Sequence, residues 1–93
     1  MSESSGIVGV KIRVMPDSPS INLSEIEIQI KKIVEKDKGR NREYVKEPVA
    51  FGLSAIIAFF EWPEEKPLEK LEEELERIKG ISSIQVIDMR KIA

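Results

Sequence analysis

Between Ile7 and Val14 the chain alternates strictly, with Val8, Val10, Ile12 and Val14 on one face and Gly9, Lys11 and Arg13 on the other. That period of two predicts a first strand with one buried side. Met15-Pro16-Asp17-Ser18-Pro19-Ser20 then predicts a turn, because proline cannot continue a ladder or enter a helix past its first turn. Asn22 is placed to cap a helix, with Glu25 reaching back and Ile21 and Ile26 forming a hydrophobic staple. Leu23, Ile26, Ile30, Ile33 and Val34 fall on one stripe, so the helix runs to Glu35 or Lys36 and is closed by Asp37-Lys38-Gly39. The charged run Arg42 to Lys46 suits an edge strand. After Pro48 and Gly52, the segment Leu53 to Trp62 is nearly continuous apolar sequence and predicts a mid-sheet strand covered on much of both faces. Pro63 ends it. Pro67 fits the first position of a second helix whose stripe is Leu68, Leu71, Leu75 and Ile78, with Gly80 as its left-handed stop. Ile84, Val86 and Asp88 alternate with Gln85, Ile87 and Met89 in a last strand ending near Arg90.

The order β-α-β-β-α-β predicts the α+β, ferredoxin-like sandwich: a four-stranded antiparallel sheet with both helices on one face and the first and third strands central. The opposite face carries no helices, and Lys11, Arg13, Gln85, Ile87 and Met89 are expected to line it. Met1–Gly6 lacks any apolar period and reads as a disordered N-terminal segment, leaving 7–93 as one domain. At 93 residues a second domain has no room.

Composition narrows the chemistry. There is no Cys and no His, which excludes disulfides, thiolate nucleophiles, imidazole bases and the usual zinc sites. Carboxylate-only Mg²⁺ binding is left open, but no metal or other cofactor is expected. Fourteen Ile, ten Lys and four Asn plus Gln match the composition of proteins from heat-loving organisms. With no signal peptide and no apolar run near membrane-spanning length, a cytoplasmic location is expected. The net charge of −2 conceals a dipole: Lys36 to Lys46 carries a net +3 and Glu61 to Glu76 a net −6. Such a distribution steers a charged partner.

Glycines at 6, 9, 39, 52 and 80 are too scattered for a phosphate-binding loop, so this chain is not expected to hold nucleotide itself. Acylphosphatase-like catalysis is not expected, because it needs a Gly-rich loop with an arginine after the first strand and Met15 to Ser20 supplies prolines instead. Tyr44, Phe51, Phe59, Phe60 and Trp62 do not form the basic-aromatic-glycine signature of RNA-binding sheets, and read as core or hairpin packing. Glu72, Glu73, Glu74 and Glu76 read as a solvated helix face.

Three strings carry a resemblance: Val14-Met15-Pro16-Asp17-Ser18-Pro19, Glu47-Pro48-Val49-Ala50-Phe51-Gly52-Leu53, and Ile87-Asp88-Met89-Arg90-Lys91-Ile92. In register over Ile7 to Ala93, they resemble the archaeal elongation factor 1 beta family and the exchange domain of its eukaryotic counterparts. The resemblance implies a guanine nucleotide exchange factor, without covalent catalysis, whose partner is the GTPase elongation factor 1 alpha. It implies partner-binding roles for Lys46, Pro48, Phe51 and Gly52 in the loop before the third strand, and for Arg90 and Lys91 near the C-terminus. In that family a C-terminal lysine probes the Mg²⁺ site of the GTPase, and the tail here is shorter. Arg90 and Lys91 also fit the plain role of solubilising a terminus. Phe51 fits either a partner contact or a core plug, the plug being preferred. The competing reading is an RNA-binding or ribosome-associated module using Lys11, Arg13 and the Lys36–Lys46 segment.

Overall fold

The computed structural model describes residues 6–93. Six elements follow in the expected order: β1 (Ile7–Pro16), α1 (Leu23–Lys36), β2 (Arg40–Pro48), β3 (Ser54–Pro63), α2 (Leu68–Glu76) and β4 (Ile81–Lys91). The strands pair antiparallel in the order β2-β3-β1-β4, so the two most apolar strands are central and the fold is the ferredoxin-like sandwich. The expectation for the N-terminal segment falls outside the described residues except at Gly6, whose carbonyl accepts from the Glu64 amide at 3.0 Å.

The core is the inward half of each alternation. Val10, Ile12 and Val14 of β1 and Ile56, Ala58, Phe60 and Trp62 of β3 are buried against Ile26, Ile30 and Val34 of α1 and Leu71 and Leu75 of α2. Phe60 and Trp62 meet edge to face, with centroids 6.1 Å apart, and the Trp62 indole N–H donates to the Lys66 carbonyl at 3.1 Å. The large apolar area these residues withdraw from water is the principal stabilising term. Asn22 Oδ1 accepts from the amides of Ser24 and Glu25, which fixes the start of α1. At its end the amides of Gly39 and Lys38 donate to Val34 and Glu35, a Schellman closure with Lys38 at φ 72°. Gly39 itself is required by space: a Cβ there would lie 2.7 Å from Val34 Cγ1 and 2.9 Å from Trp62 Cε3.

Several expectations are corrected. β1 runs on through Met15 and Pro16, with Pro16 opposite Ile81, because the last position of a strand can spare a donor. β2 is longer than its charged middle. β3 is fully covered on its helix side; its other face carries no helix, and there Ala55 is buried while Ile57, Phe59 and Glu61 are half-buried. Pro67 caps α2 from outside, with ψ 130°, and α2 stops at Glu76, while Gly80, at φ 100°, turns the chain into β4. β4 begins at Ile81, and Ile87 sits in a bulge, because Lys11 pairs with Asp88 but Ile12 with Val86. The bulge reverses the alternation beyond it. Asp88 and Arg90 therefore come into register with Lys11 and Gly9 on the open face, whereas Met89 is in register with inward-facing Val10.

Glu74 also departs from the solvated-face reading. Its carboxylate accepts from Lys36 Nζ at 2.6 Å, tying α2 to α1. On the other flank of α1, the Asn41 amide donates to the Lys31 carbonyl and to Glu35, and Tyr44 donates to Asn41, so the edge strand β2 is fastened to the helix. Burial pushes the Tyr44 phenol up, with Glu27 and Glu35 adding to the shift.

Candidate functional site

The β2–β3 hairpin is built to present its tip. The Val49 amide donates to the Leu53 carbonyl at 2.9 Å and the Leu53 amide to the Ala50 carbonyl at 2.8 Å, closing a turn over Phe51 and Gly52. Both central residues have positive φ, 54° at Phe51 and 78° at Gly52, the pattern of a type I′ turn. Glycine takes this conformation without strain, but for phenylalanine it costs about 1–2 kcal/mol. The Phe51 side chain recovers none of that cost inside the domain, because it is 95% exposed. The core-plug reading is therefore overturned. Val49 beside it is half exposed, so the tip presents two apolar side chains to solvent.

Pro48 ends β2 opposite Ser54, and Lys46 lies exposed two residues earlier, opposite Ile56 on the helix-bearing side of the edge strand. Lys46, Pro48, Phe51 and Gly52 thus share one end of the sheet. Arg90 and Lys91 do not join them. Lys91 pairs with Val8 and Arg90 with Gly9, at the far end of β1 from Pro16. Eight strand positions separate Val8 from Pro16, which at ~3.3 Å per residue is about 25 Å. At that far end, Ile7 and Ala93 exchange backbone hydrogen bonds of 2.8 and 3.2 Å, and the Ile92 amide donates to Ile7 at 2.7 Å. The terminus is thereby pinned to the sheet, and Lys91 Nζ stands 3.5 Å from Glu64 Oε1. Arg90 Nε lies 3.2 Å from Asp88 Oδ2 on the open face.

Among the described residues no group of three or more acidic side chains is arranged to hold a metal ion.

The sequence profile of the EF-1 guanine nucleotide exchange domain matches residues 9–92. The chain belongs to that family. Elongation factor 1-beta of Methanosarcina barkeri is 34% identical over 88 residues, covering 94% of this chain and 99% of that protein. Elongation factor 1-beta of Methanococcus aeolicus is 38% identical over 85 residues, with 90% and 96% covered, and that of Sulfolobus acidocaldarius is 35% identical over 85 residues, with 89% and 93% covered. As a member of this exchange-domain family the chain is a translation elongation factor. Among solved structures, the C-terminal domain of the MgtC protein from Mycobacterium tuberculosis superposes with a TM-score of 0.70 at 16% identity, covering 97% of this chain and 93% of that one. The ACT domain from GTP pyrophosphokinase of Chlorobium tepidum gives 0.60 at 17% identity, covering 90% and 100%. These two likenesses concern the fold alone. No described helix is long and apolar enough to cross a membrane.

Sequence reasoning put Arg13 and Gln85 on the open face and Pro48 in the partner-binding loop, but it missed Met15, Glu47 and Val49 and did not join the six into one site beside the tip. Arg13, Met15, Glu47, Pro48, Val49 and Gln85 line a cleft of about 420 Å³ there. Their alternation was readable, but the pairing of Arg13 with Glu47 across β3, at 3.0 Å, depends on strand order and register together.

Proposed function

We propose that this chain is the nucleotide exchange factor of elongation factor 1 alpha, promoting GDP release so that GTP can enter. The observation that carries the reading is Phe51: an aromatic side chain held in a strained backbone conformation and given wholly to solvent, within a family defined by nucleotide exchange. Strain that the fold itself does not use is concentrated at binding sites, and exposed aromatics are the commonest anchors of protein interfaces.

The mechanism needs no reactive group. The chain binds the nucleotide-free GTPase more tightly than the GDP form, and linkage weakens GDP binding by the same coupling free energy. The hairpin tip holds the partner at one end of a rigid four-stranded sheet, and Lys91 acts at the other, about 25 Å away. Its ammonium suits displacement of the cation that bridges GTPase and phosphate oxygens.

The RNA-binding reading is less well supported, because several of the cations it relies on already have a partner within the domain. Arg13 is paired with Glu47, Arg42 with Glu61 at 3.3 Å and Lys36 with Glu74, while Lys11 lies over the Phe59 ring. Stopped-flow release of a fluorescent GDP analogue from elongation factor 1 alpha tests the proposal: saturating chain accelerates release, and an unchanged rate refutes it.

A further inference from the structure

We propose that Arg13 is a second anchor for the same partner, taking a carboxylate side chain of the GTPase into the open-face cleft beside the hairpin tip. The inference rests on the exchange-factor reading and names one of its contacts. Arg13 leaves the central strand β1 on the helix-free face and crosses toward Glu47, whose Oε1 receives one terminal nitrogen at 3.0 Å. The Nε of the same guanidinium is shielded from solvent and has no hydrogen-bond partner among the described residues. A guanidinium offers five donors in a planar fork that matches a carboxylate in two places. Here a single carboxylate oxygen takes one terminal nitrogen, and with the side chain 38% exposed the other terminal N–H donors stay open to a second acceptor.

The remaining walls fit an acidic side chain. Met15, Pro48 and Val49 give the cleft apolar lining and Gln85 adds an amide. Val49 belongs both to the cleft and to the exposed tip, so the cleft adjoins the surface that Phe51 presents. Glu47 holds the guanidinium in place before the partner arrives and competes with the incoming carboxylate afterwards. The two members of the pair therefore have opposite effects on the complex. Removing Arg13 weakens it, and neutralising Glu47 strengthens it.

The test is titration of nucleotide-free elongation factor 1 alpha with the full chain and with R13M, E47Q and F51A, each first shown by thermal melting to be folded. R13M keeps the apolar stem of the side chain and is expected to raise Kd about tenfold or more, as for loss of a hydrogen bond to a charged group; E47Q is expected to lower Kd. If R13M leaves Kd within about twofold while F51A weakens it, the Arg13 contact is overturned and the exchange reading stands. If R13M and E47Q shift Kd in the same direction, the pair is only a strap across the sheet and the inference fails. If the unaltered chain does not bind, both the contact and the exchange reading fall.

Discussion

Replacing Phe51 by Asn separates what the tip does for the domain from what it does for the partner. Phe51 sits at φ 54° with Gly52 at φ 78° after it, and Asn followed by Gly is the dipeptide that such a turn favours most. Because the phenylalanine side chain is 95% exposed, its removal forfeits almost no packing inside the domain. Relief of the left-handed strain is worth about 1 kcal/mol, which for a chain of this length raises Tm by about 4–8 °C. The effect on the partner has the opposite sign. A Phe side chain that passes from water into an interface buries about 150 Å² or more, worth up to about 4 kcal/mol at 25 cal/mol per Å². Interface anchors commonly realise at least about 2 kcal/mol of such a ceiling, so the Kd for nucleotide-free elongation factor 1 alpha rises about thirtyfold or more. Differential scanning calorimetry of the isolated chain and titration of the GTPase read the two effects separately. A variant that melts lower than the parent refutes the strain argument. One that binds as tightly as the parent refutes the role given to the tip.

Three further outcomes follow from the same geometry. Gly39→Ala drives a methyl into Val34 and Trp62 and costs about 1–3 kcal/mol, read as a lower midpoint in urea unfolding with little change in slope. Lys36→Met lowers Tm by a few degrees at neutral pH. The hydrogen bond from Lys36 is the main reason the Glu74 carboxyl titrates below its ordinary value of 4.5, so the pair's contribution is present above that value and lost as pH falls through the lowered one. The Tm difference between parent and Lys36→Met therefore closes in acid, and a difference that persists unchanged at pH 2 contradicts the assignment. Lys91→Gln leaves complex formation with elongation factor 1 alpha nearly intact but slows GDP release by tenfold or so; equal loss of binding and release removes the special role of the tail.

The architecture was legible because it rests on periods that survive any register. Val8 to Val14 and Leu71 to Ile78 announce their buried faces whatever they pack against. Features that depend on pairing were not legible. Ile84 to Met89 alternates cleanly in sequence, but only the mismatch between β1 and β4 reveals that Ile87 is bulged and that Asp88, not Met89, shares a face with Lys11. Phe51 lies in a string of apolar residues and reads as a plug; its exposure follows from a turn with two positive φ angles, for which Gly52 was the sole local signal. The family resemblance named Lys46, Pro48, Phe51 and Gly52 in a loop and Arg90 and Lys91 near the C-terminus, without saying how far apart they lie. The sheet divides them between its two ends. Glu74 looked like its neighbours on an acidic helix until the approach of α1 placed Lys36 against it.

The proposed exchange depends on a difference in affinity, and isothermal titration of elongation factor 1 alpha in its nucleotide-free and GDP-bound forms measures that difference directly. The account predicts tighter binding to the nucleotide-free form, with GDP affinity reduced by the same factor when the chain is bound. Equal affinity for the two forms, or none for either, contradicts it.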